Sequence, residues 1–220
     1  MATPYFQLRR ERVSSTQDVA RAEIADLPVL VIAATQTEGR GRSGSEWLTA
    51  DRAVAVSVAF RHAGGEDRPL SLMAGIAAVR ATADTALKWP NDVMVGEAKA
   101  GGILVEASGD VTTVGLGLNL WWPAAPEGMT ALYSEDPGEE AFVQVGALWG
   151  AEFMELVDGS GWPIDVYRTM CVTLGREISW EPDGAGRAVD IAADGALIVE
   201  TASGREKLYS GAVHHVRSAT

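Results

Sequence analysis

Apolar residues along the chain fall into two textures, contiguous short runs and spaced repeats, and these predict its elements. Val29-Leu-Val-Ile-Ala-Ala34 is an unbroken run of strand length, and Ala53 to Phe60 is a second, rich in β-branched valine. Between them lies a polar, glycine-rich loop from Gln36 to Ser45, and a turn cluster with Gly64-Gly65 spans His62 to Pro69. From Leu70 to Leu87 apolar residues recur at Leu72, Ile76, Val79 and Ala83 with no internal proline. That spacing predicts a helix with one buried face, started by Pro69 and Ser71. Val93–Val95, Gly102–Glu106 and Val111–Leu120 are separated by glycine-containing turns and read as consecutive antiparallel strands. A second helix is predicted over Glu139 to Val157, with Phe142, Val145, Leu148, Phe153 and Leu156 on its apolar side, and a shorter one over Trp162 to Leu174. After Gly175 the texture changes to five short β-type runs, 177–180, 188–192, 196–201, 206–209 and 212–217, punctuated at Pro182-Asp-Gly184, Asp194-Gly195 and Ser203-Gly204. The expectation is an α+β domain over 1–174 followed by a small β-barrel over 175–220.

Composition narrows the class. With 47% hydrophobic and 22% charged residues, the 220-residue chain is an ordinary globular protein, which excludes disorder and low complexity. The 30 acidic residues outnumber the 18 basic ones, and a net charge of −12 repels nucleic acid and anionic membranes. One cysteine, Cys171, allows neither an intrachain disulfide nor a cysteine-based zinc site, which fits a reducing cytoplasm. No stretch approaches the roughly 18 consecutive apolar residues of a membrane helix, and the N-terminal segment lacks the apolar core of a secretory signal.

Four segments carry candidate chemistry. Gln36-Thr-Glu-Gly39-Arg40-Gly41-Arg42-Ser-Gly44, ending at Trp47, follows a strand directly. Its glycines bring backbone N–H groups close to a ligand, and Arg40 and Arg42 add forked donors for carboxylate or phosphate oxygens. On its own the segment favours a solvated surface loop. Leu87-Lys88-Trp89-Pro90-Asn91-Asp92 is a stiff turn between strands, whose Asn and Asp either hold a metal or fold onto their own backbone. Lys99, ahead of Gly101-Gly102-Ile-Leu, either bridges developing negative charge on two substrates or is a solvated hairpin lysine. Gly115-Leu-Gly117-Leu-Asn119 ends a strand, where small residues admit a flat ligand and Asn119 offers amide hydrogen bonds. No helix follows it, so the dinucleotide fingerprint does not apply. Ser14-Ser15-Thr16-Gln17-Asp18, before a helical stretch over 19–24, is either an N-cap or a polar cradle.

Taken in order and spacing, these segments resemble the biotin protein ligases. The resemblance is specific from Ser14 to Asn119 and weaker through the helices to the β-rich tail, which corresponds to the family's SH3-like C-terminal domain. It implies a mixed β-sheet with flanking helices, of the class II synthetase and biotin ligase type. It also implies an enzyme that uses ATP with Mg²⁺ to activate biotin as biotinyl-5′-AMP, then transfers biotin to a lysine of a biotin carboxyl carrier protein domain. Carried over, Ser15, Thr16, Gln17 and Gln36 would line the ureido-ring pocket. Arg40, Gly41 and Arg42 would form a mobile loop over biotin and phosphates, and Lys99 would be the central catalytic group with Arg40 and Arg42. Gly102, Gly115 and Gly117 would border the biotin tail. Asn91, Asp92, Arg42, Asn119 and Trp121 would meet ATP, with Asp92 at the metal and Trp121 or Trp122 over the adenine. No protein nucleophile is required, because biotin's own carboxylate attacks ATP. The mixed anhydride hydrolyses readily, which gives a closing loop its purpose.

The chain departs from the family in three places. Gln17 stands where the family has Asn, one methylene longer. Ser43, Ser45 and Glu46 stand where a second basic pair is common. Thirteen residues precede Ser14, too few for the winged helix-turn-helix of repressor members, so no DNA partner is expected. A monomer or homodimer is compatible with the sequence. Two alternatives share part of the pattern, a lipoate or octanoate transferase of the same fold and a non-catalytic protein that binds biotin or docks the carrier.

Overall fold

The computed structural model describes residues 3–61, 68–211 and 213–216. The Gly64-Gly65 turn, His62 and Arg217 lie outside them, as does the side chain of Ser43. A seven-stranded mixed sheet has the order β1-β2-β3-β7-β6-β5-β4. Its strands are β1 (Phe6–Val13), β2 (Val29–Gln36), β3 (Arg52–Arg61), β4 (Ala86–Lys88), β5 (Asp92–Val95), β6 (Ala98–Ser108) and β7 (Val111–Trp121). β1 and β2 are parallel, joined through helix α1 (Thr16–Glu23), and every other neighbouring pair is antiparallel.

β2 reads as a continuous apolar run because both its faces are covered. Val29 and Val31 turn towards α1 and pack with Ala20 and Ala59, whereas Leu30 and Ile32 enter the main core. On that side lie α2 (Leu70–Ala81) and α3 (Ala141–Asp158). Gly146 and Gly150, four residues apart on α3, let the helix settle onto β2. A Cβ at either position would lie 2.6 Å from Ile32 or 2.5 Å from Leu30. Trp149 and Phe153 stack at 5.3 Å beside them, and Trp149 Nε1 donates to the carbonyl of Ala74 on α2. Leu148, expected on the apolar side, is instead exposed.

α2 stops at Ala81, six residues before the predicted end. The Thr82 hydroxyl bonds back to the Ala78 carbonyl at 2.7 Å and to Thr85, and Asp84 adopts a left-handed conformation (φ 54°). Ala86–Lys88 then pairs with β5 as an edge strand that periodicity does not reveal.

A short helix α4 (Ile164–Met170) leads into the second sheet, order β11-β10-β9-β8-β12. These strands are β8 (Glu177–Trp180), β9 (Gly184–Ile191), β10 (Leu197–Thr201), β11 (Gly204–Leu208) and β12 (Val213–His215), and all neighbours are antiparallel. Five strands fit an SH3-like unit, but β11 and β12 are not paired with each other, so among the described residues the barrel is open. Its inner residues Ile178, Ile191, Leu197, Val199 and Val213 join the core of the larger sheet. Val172 N donates to the Leu87 carbonyl, and Trp89 Nε1, 2% exposed, donates to the Gly195 carbonyl at 3.0 Å. The second sheet is therefore fastened to the Trp-Pro-Asn-Asp turn.

Candidate active site

A cavity of about 840 Å³ opens where the N-terminus of α1, the glycine-rich loop after β2, the β4–β5 turn and the middle of β6 and β7 meet. That is ample for a small-molecule substrate. The second sheet contributes Ser210, Gly211, Val213 and His214 to one wall.

The floor is polar and buried. Ser15, Thr16 and Gln17 are each at most 5% exposed. The Ser15 side chain makes no capping bond. Gln36 fills that role from the neighbouring strand, its Oε1 accepting from the Thr16 amide at 2.7 Å and the Thr16 hydroxyl at 3.1 Å. With that proton on Gln36, the Thr16 hydroxyl oxygen accepts from Ser57 Oγ at 2.8 Å. Gln17 Nε2 donates to the Leu104 carbonyl, which leaves Gln17 Oε1 buried without a partner. A dry, unpaired acceptor on a cavity floor is costly unless a ligand donates to it.

The loop is folded over as a small hairpin. Gly41 N donates to the Ser45 carbonyl, Trp47 N donates to the Gly39 carbonyl, and the backbones of Arg40 and Glu46 pair as an antiparallel β-bridge. Its two arginines have different surroundings. Arg40 makes a bidentate pair with Asp18 at 2.8 Å and a third contact to Glu106 at 3.1 Å. These bonds raise the Arg40 pKa further and hold Asp18 below the usual carboxylate range. In this ligand-free arrangement its donors are engaged by the two carboxylates, which tethers the loop to α1 and β6. Arg42 instead reaches the neutral Asn91 Oδ1 at 3.0 Å. Asn91 is locked in turn, with Nδ2 on the Ile103 carbonyl and its own carbonyl accepting from Ile103 N.

Lys99 lies opposite, with Nζ 2.6 Å from Asp92 Oδ1 and 5.9 Å from the centre of the Trp47 ring. Its backbone pairs with Gly128 and Thr130, which hold the following loop as a side wall. Gly102 and Gly117 face each other across β6 and β7, and Trp47 lies on them. A Cβ at Gly117 would come within 2.7 Å of the indole, and one at Gly102 within 3.1 Å. Gly115 is similarly open to Gln17 and Ser57.

Ser15, Thr16, Gln17, Gln36, Arg40, Gly41, Arg42, Asn91, Asp92, Lys99, Gly102, Gly115 and Gly117 therefore converge. Asn119 and Trp121 do not reach the cavity. Asn119 is fully buried, its Nδ2 donating to the Thr130 carbonyl and its Oδ1 without a partner. Ser57, Trp47, Lys88 and Met129 line the cavity without having been singled out as ligand contacts. Trp47 and Lys88 carried a sequence signal, one at the end of the glycine–arginine segment and the other inside the Leu87–Asp92 segment.

Among the described residues no three His, Cys, Asp or Glu side chains gather as a metal cage. The Asp92 carboxylate, beside Asn91, does fit Mg²⁺ arriving on a nucleotide, since that ion takes one or two carboxylates together with phosphate oxygens.

A polar floor, a cationic rim and a glycine–arginine cover over a mixed sheet mark an enzyme that binds a small acid and activates it. The chain belongs to the biotin/lipoate A/B protein ligase family, whose model matches residues 10–120. A second model, the biotin protein ligase C terminal domain, matches residues 183–216 and selects the biotin branch. The chain is 29% identical to the biotin–[acetyl-CoA-carboxylase] ligase of Mycobacterium tuberculosis over 86% of its own length and 79% of that protein. The biotin protein ligase of Aquifex aeolicus in complex with biotin and ATP superposes with a TM-score of 0.81 at 26% identity, covering 97% of this chain and 99% of that one. The Leishmania major enzyme with biotinyl-5-AMP shares the fold, with a TM-score of 0.61, 24% identity and coverage of 94% and 98%.

Proposed function

We propose that the chain is an ATP-dependent biotin protein ligase that forms biotinyl-5′-AMP and passes biotin to a lysine of a biotin carboxyl carrier domain. The observation that carries this is the polarity gradient of one cavity, from the hydroxyl and amide floor at Thr16, Gln17, Gln36 and Ser57 to the cationic rim at Lys99 and Arg42. A ureido ring offers two N–H donors and a carbonyl, which match the orphaned Gln17 Oε1 and the floor hydroxyls. A lipoyl or octanoyl tail has no such donors and would leave them unpaired, so the acyl-chain alternative is disfavoured.

With the ring on the floor, the biotin carboxylate points to Lys99. One carboxylate oxygen attacks the α-phosphorus of ATP, the bond from that phosphorus to the bridging oxygen breaks, and pyrophosphate leaves with the electron pair. The two reactants are both anions, and the Lys99 ammonium between them offsets their repulsion. Asp92 fixes that ammonium at 2.6 Å, and Asn91 aims Arg42 at the phosphates. Mg²⁺ held through Asp92 would neutralise phosphate charge. The hairpin over 39–47, pinned by Arg40 and seated through Trp47 on Gly102 and Gly117, keeps water from the mixed anhydride. The carrier's amine then attacks the acyl carbon and AMP departs.

Further proposals follow from the same geometry. Residues 1–174 form the catalytic domain and 175–220 the C-terminal unit, the division falling between the two sheets. The partner is a carboxylase carrier domain, in keeping with relatives named for acetyl-CoA carboxylase, and the compartment is the cytoplasm. Among the described residues no helix is long and apolar enough to cross a membrane.

Pyrophosphate release by the purified chain, measured with biotin, lipoate or octanoate and ATP, tests the assignment. Biotin-dependent release is expected. Release with lipoate or octanoate alone identifies an acyl-chain enzyme, and biotin binding without release identifies a non-catalytic binder. Lys99→Ala should abolish release while calorimetry still detects biotin, and near-normal turnover would remove Lys99 from the mechanism.

A further inference from the structure

The cover has to close on the mixed anhydride and open again for the carrier's amine, so what governs its release matters as much as what holds it. The hold is a cluster of four charges: Asp18 and Arg21 on α1, Glu106 on β6, and Arg40 on the hairpin over 39–47. Both guanidiniums use the same oxygen atoms. Arg40 Nη2 donates to Asp18 Oδ1 at 2.8 Å and to Glu106 Oε2 at 3.1 Å. Arg21 reaches Asp18 Oδ1 through Nη1 at 3.4 Å and Glu106 Oε2 through Nη2 at 3.2 Å. Among the described residues these two arginines are the acids' only ion-pair partners.

The two cations are not equivalent. Arg40 has the shorter contacts, with a further bond from Nη1 to Asp18 Oδ2 at 2.8 Å, and it is carried by the hairpin. Arg21 has the longer ones, but it is built into α1 and braced by Thr113, whose fully buried hydroxyl accepts from Nη2 at 3.2 Å. Its Nε is buried without a partner, so Arg21 keeps a donor in reserve. Two like charges converging on shared oxygens repel, and each weakens the other's grip. When Arg40 withdraws, that repulsion vanishes and the oxygens it used become free for Arg21. The acids then stay neutralised in both positions of the hairpin.

Resting on the ligase assignment above for what the cover shields, we propose that Arg21 is a positioning residue that sets the release of the hairpin, taking over Asp18 and Glu106 as Arg40 lets them go. It does not line the cavity and acts through Arg40 alone. Without Arg21, opening would strand two carboxylates with no counter-ion, so the hairpin would be held shut more firmly. A residue that merely braced the fold would have the opposite effect, and its removal would loosen the hairpin.

Hydrogen exchange at the Gly41 and Trp47 amides of the ligand-free protein reads the opening directly. In Arg21→Met, which keeps the apolar stem and drops the charge, exchange at both amides should slow about fivefold, the factor one partly solvated ion pair is worth. Arg21→Gln should slow it likewise, and Arg21→Lys, which keeps a cation, should stay closer to wild type. In an Arg40→Ala background the same substitutions should change nothing, because the competition they remove is already gone. Urea midpoints report that each variant is folded. With biotin, ATP and a purified carrier domain of acetyl-CoA carboxylase, Arg21→Met should biotinylate fewer bystander lysines and transfer more slowly to the carrier, the reverse of the leakage expected of Arg40→Ala. Exchange that is unchanged or faster in Arg21→Met and Arg21→Gln overturns the proposal, and so does slowing that persists without Arg40. The exchange readings need no turnover, so a wild type without biotin-dependent pyrophosphate release would overturn the ligase assignment and leave them standing.

Discussion

Removing the Arg40 side chain is expected to loosen the cover without dismantling the site. Two unit charges 4 Å apart attract by about 4 kcal/mol at an effective dielectric of about 20. Arg40, Asp18 and Glu106 are 36%, 43% and 29% exposed, so screening and side-chain entropy reduce each pair to about 1 kcal/mol. Two pairs give about 2 kcal/mol, and in Arg40→Ala the open fraction of the hairpin should rise about 30-fold. Arg21 still spans Asp18 and Glu106 at 3.4 and 3.2 Å, so the acids are not left unpaired and global stability should barely move. Hydrogen exchange at the amides of Gly41 and Trp47, which close the hairpin, reads the opening. Biotinylation of bystander lysines reads the escaped adenylate. Added salt should bring the wild type towards the variant, because the pairs are partly solvated. Asp18 is depressed by Arg40, so its contribution is present above its ordinary value of 3.8 and is lost as pH falls through its lower folded value. Unchanged exchange at Gly41 and Trp47 together with unchanged leakage would refute the tether.

Other outcomes follow from the same contacts. Gly117→Ala should lower adenylate formation with little change in Tm, because the new methyl meets the movable Trp47 indole. Gly101→Ala should lower Tm, because its Cβ would meet the Gly117 carbonyl at 2.8 Å and Leu118 at 2.6 Å; thermal melts beside pyrophosphate assays distinguish the two. Trp89→Phe orphans the buried Gly195 carbonyl at a cost of about 1–3 kcal/mol, and Tm should fall by roughly 2–4 °C for each kcal/mol in a chain of this size. His215 is held down to about 4, so between its ordinary 6.5 and that value the unfolded chain takes up a proton the folded one refuses. Urea midpoints should therefore drop as pH is lowered from 6.5 to 4, and less steeply in His215→Gln.

Sequence pattern located most elements because burial repeats along the chain, and it failed where solvent or a side chain intervened. β1 is a solvent-facing edge strand, Phe-Gln-Leu-Arg-Arg-Glu-Arg-Val, paired along one side with β2, so no apolar alternation marks it. The end of α2 was misplaced because Thr82 and Thr85 bond locally, an effect that helical periodicity does not register. In the site, ordered motifs picked out the converging residues but not their division of labour. Arg40 and Arg42 are indistinguishable as letters. What separates them is Asp18 and Glu106, 22 and 66 positions away, against Asn91 at 49. Asn119 ends a glycine strand, and there its amide divides, Nδ2 donating to the Thr130 carbonyl and Oδ1 left without a partner.

The indole of Trp89, pegged into the carbonyl of Gly195, has a practical corollary for anyone shortening this polypeptide. A fragment cut at the seam between the sheets would keep every signature letter and lose the anchor that sets the angle of Asn91 and Asp92. The tail belongs to the jaw of the tool, and grafting only the front portion onto another scaffold would transplant the spelling without the grip.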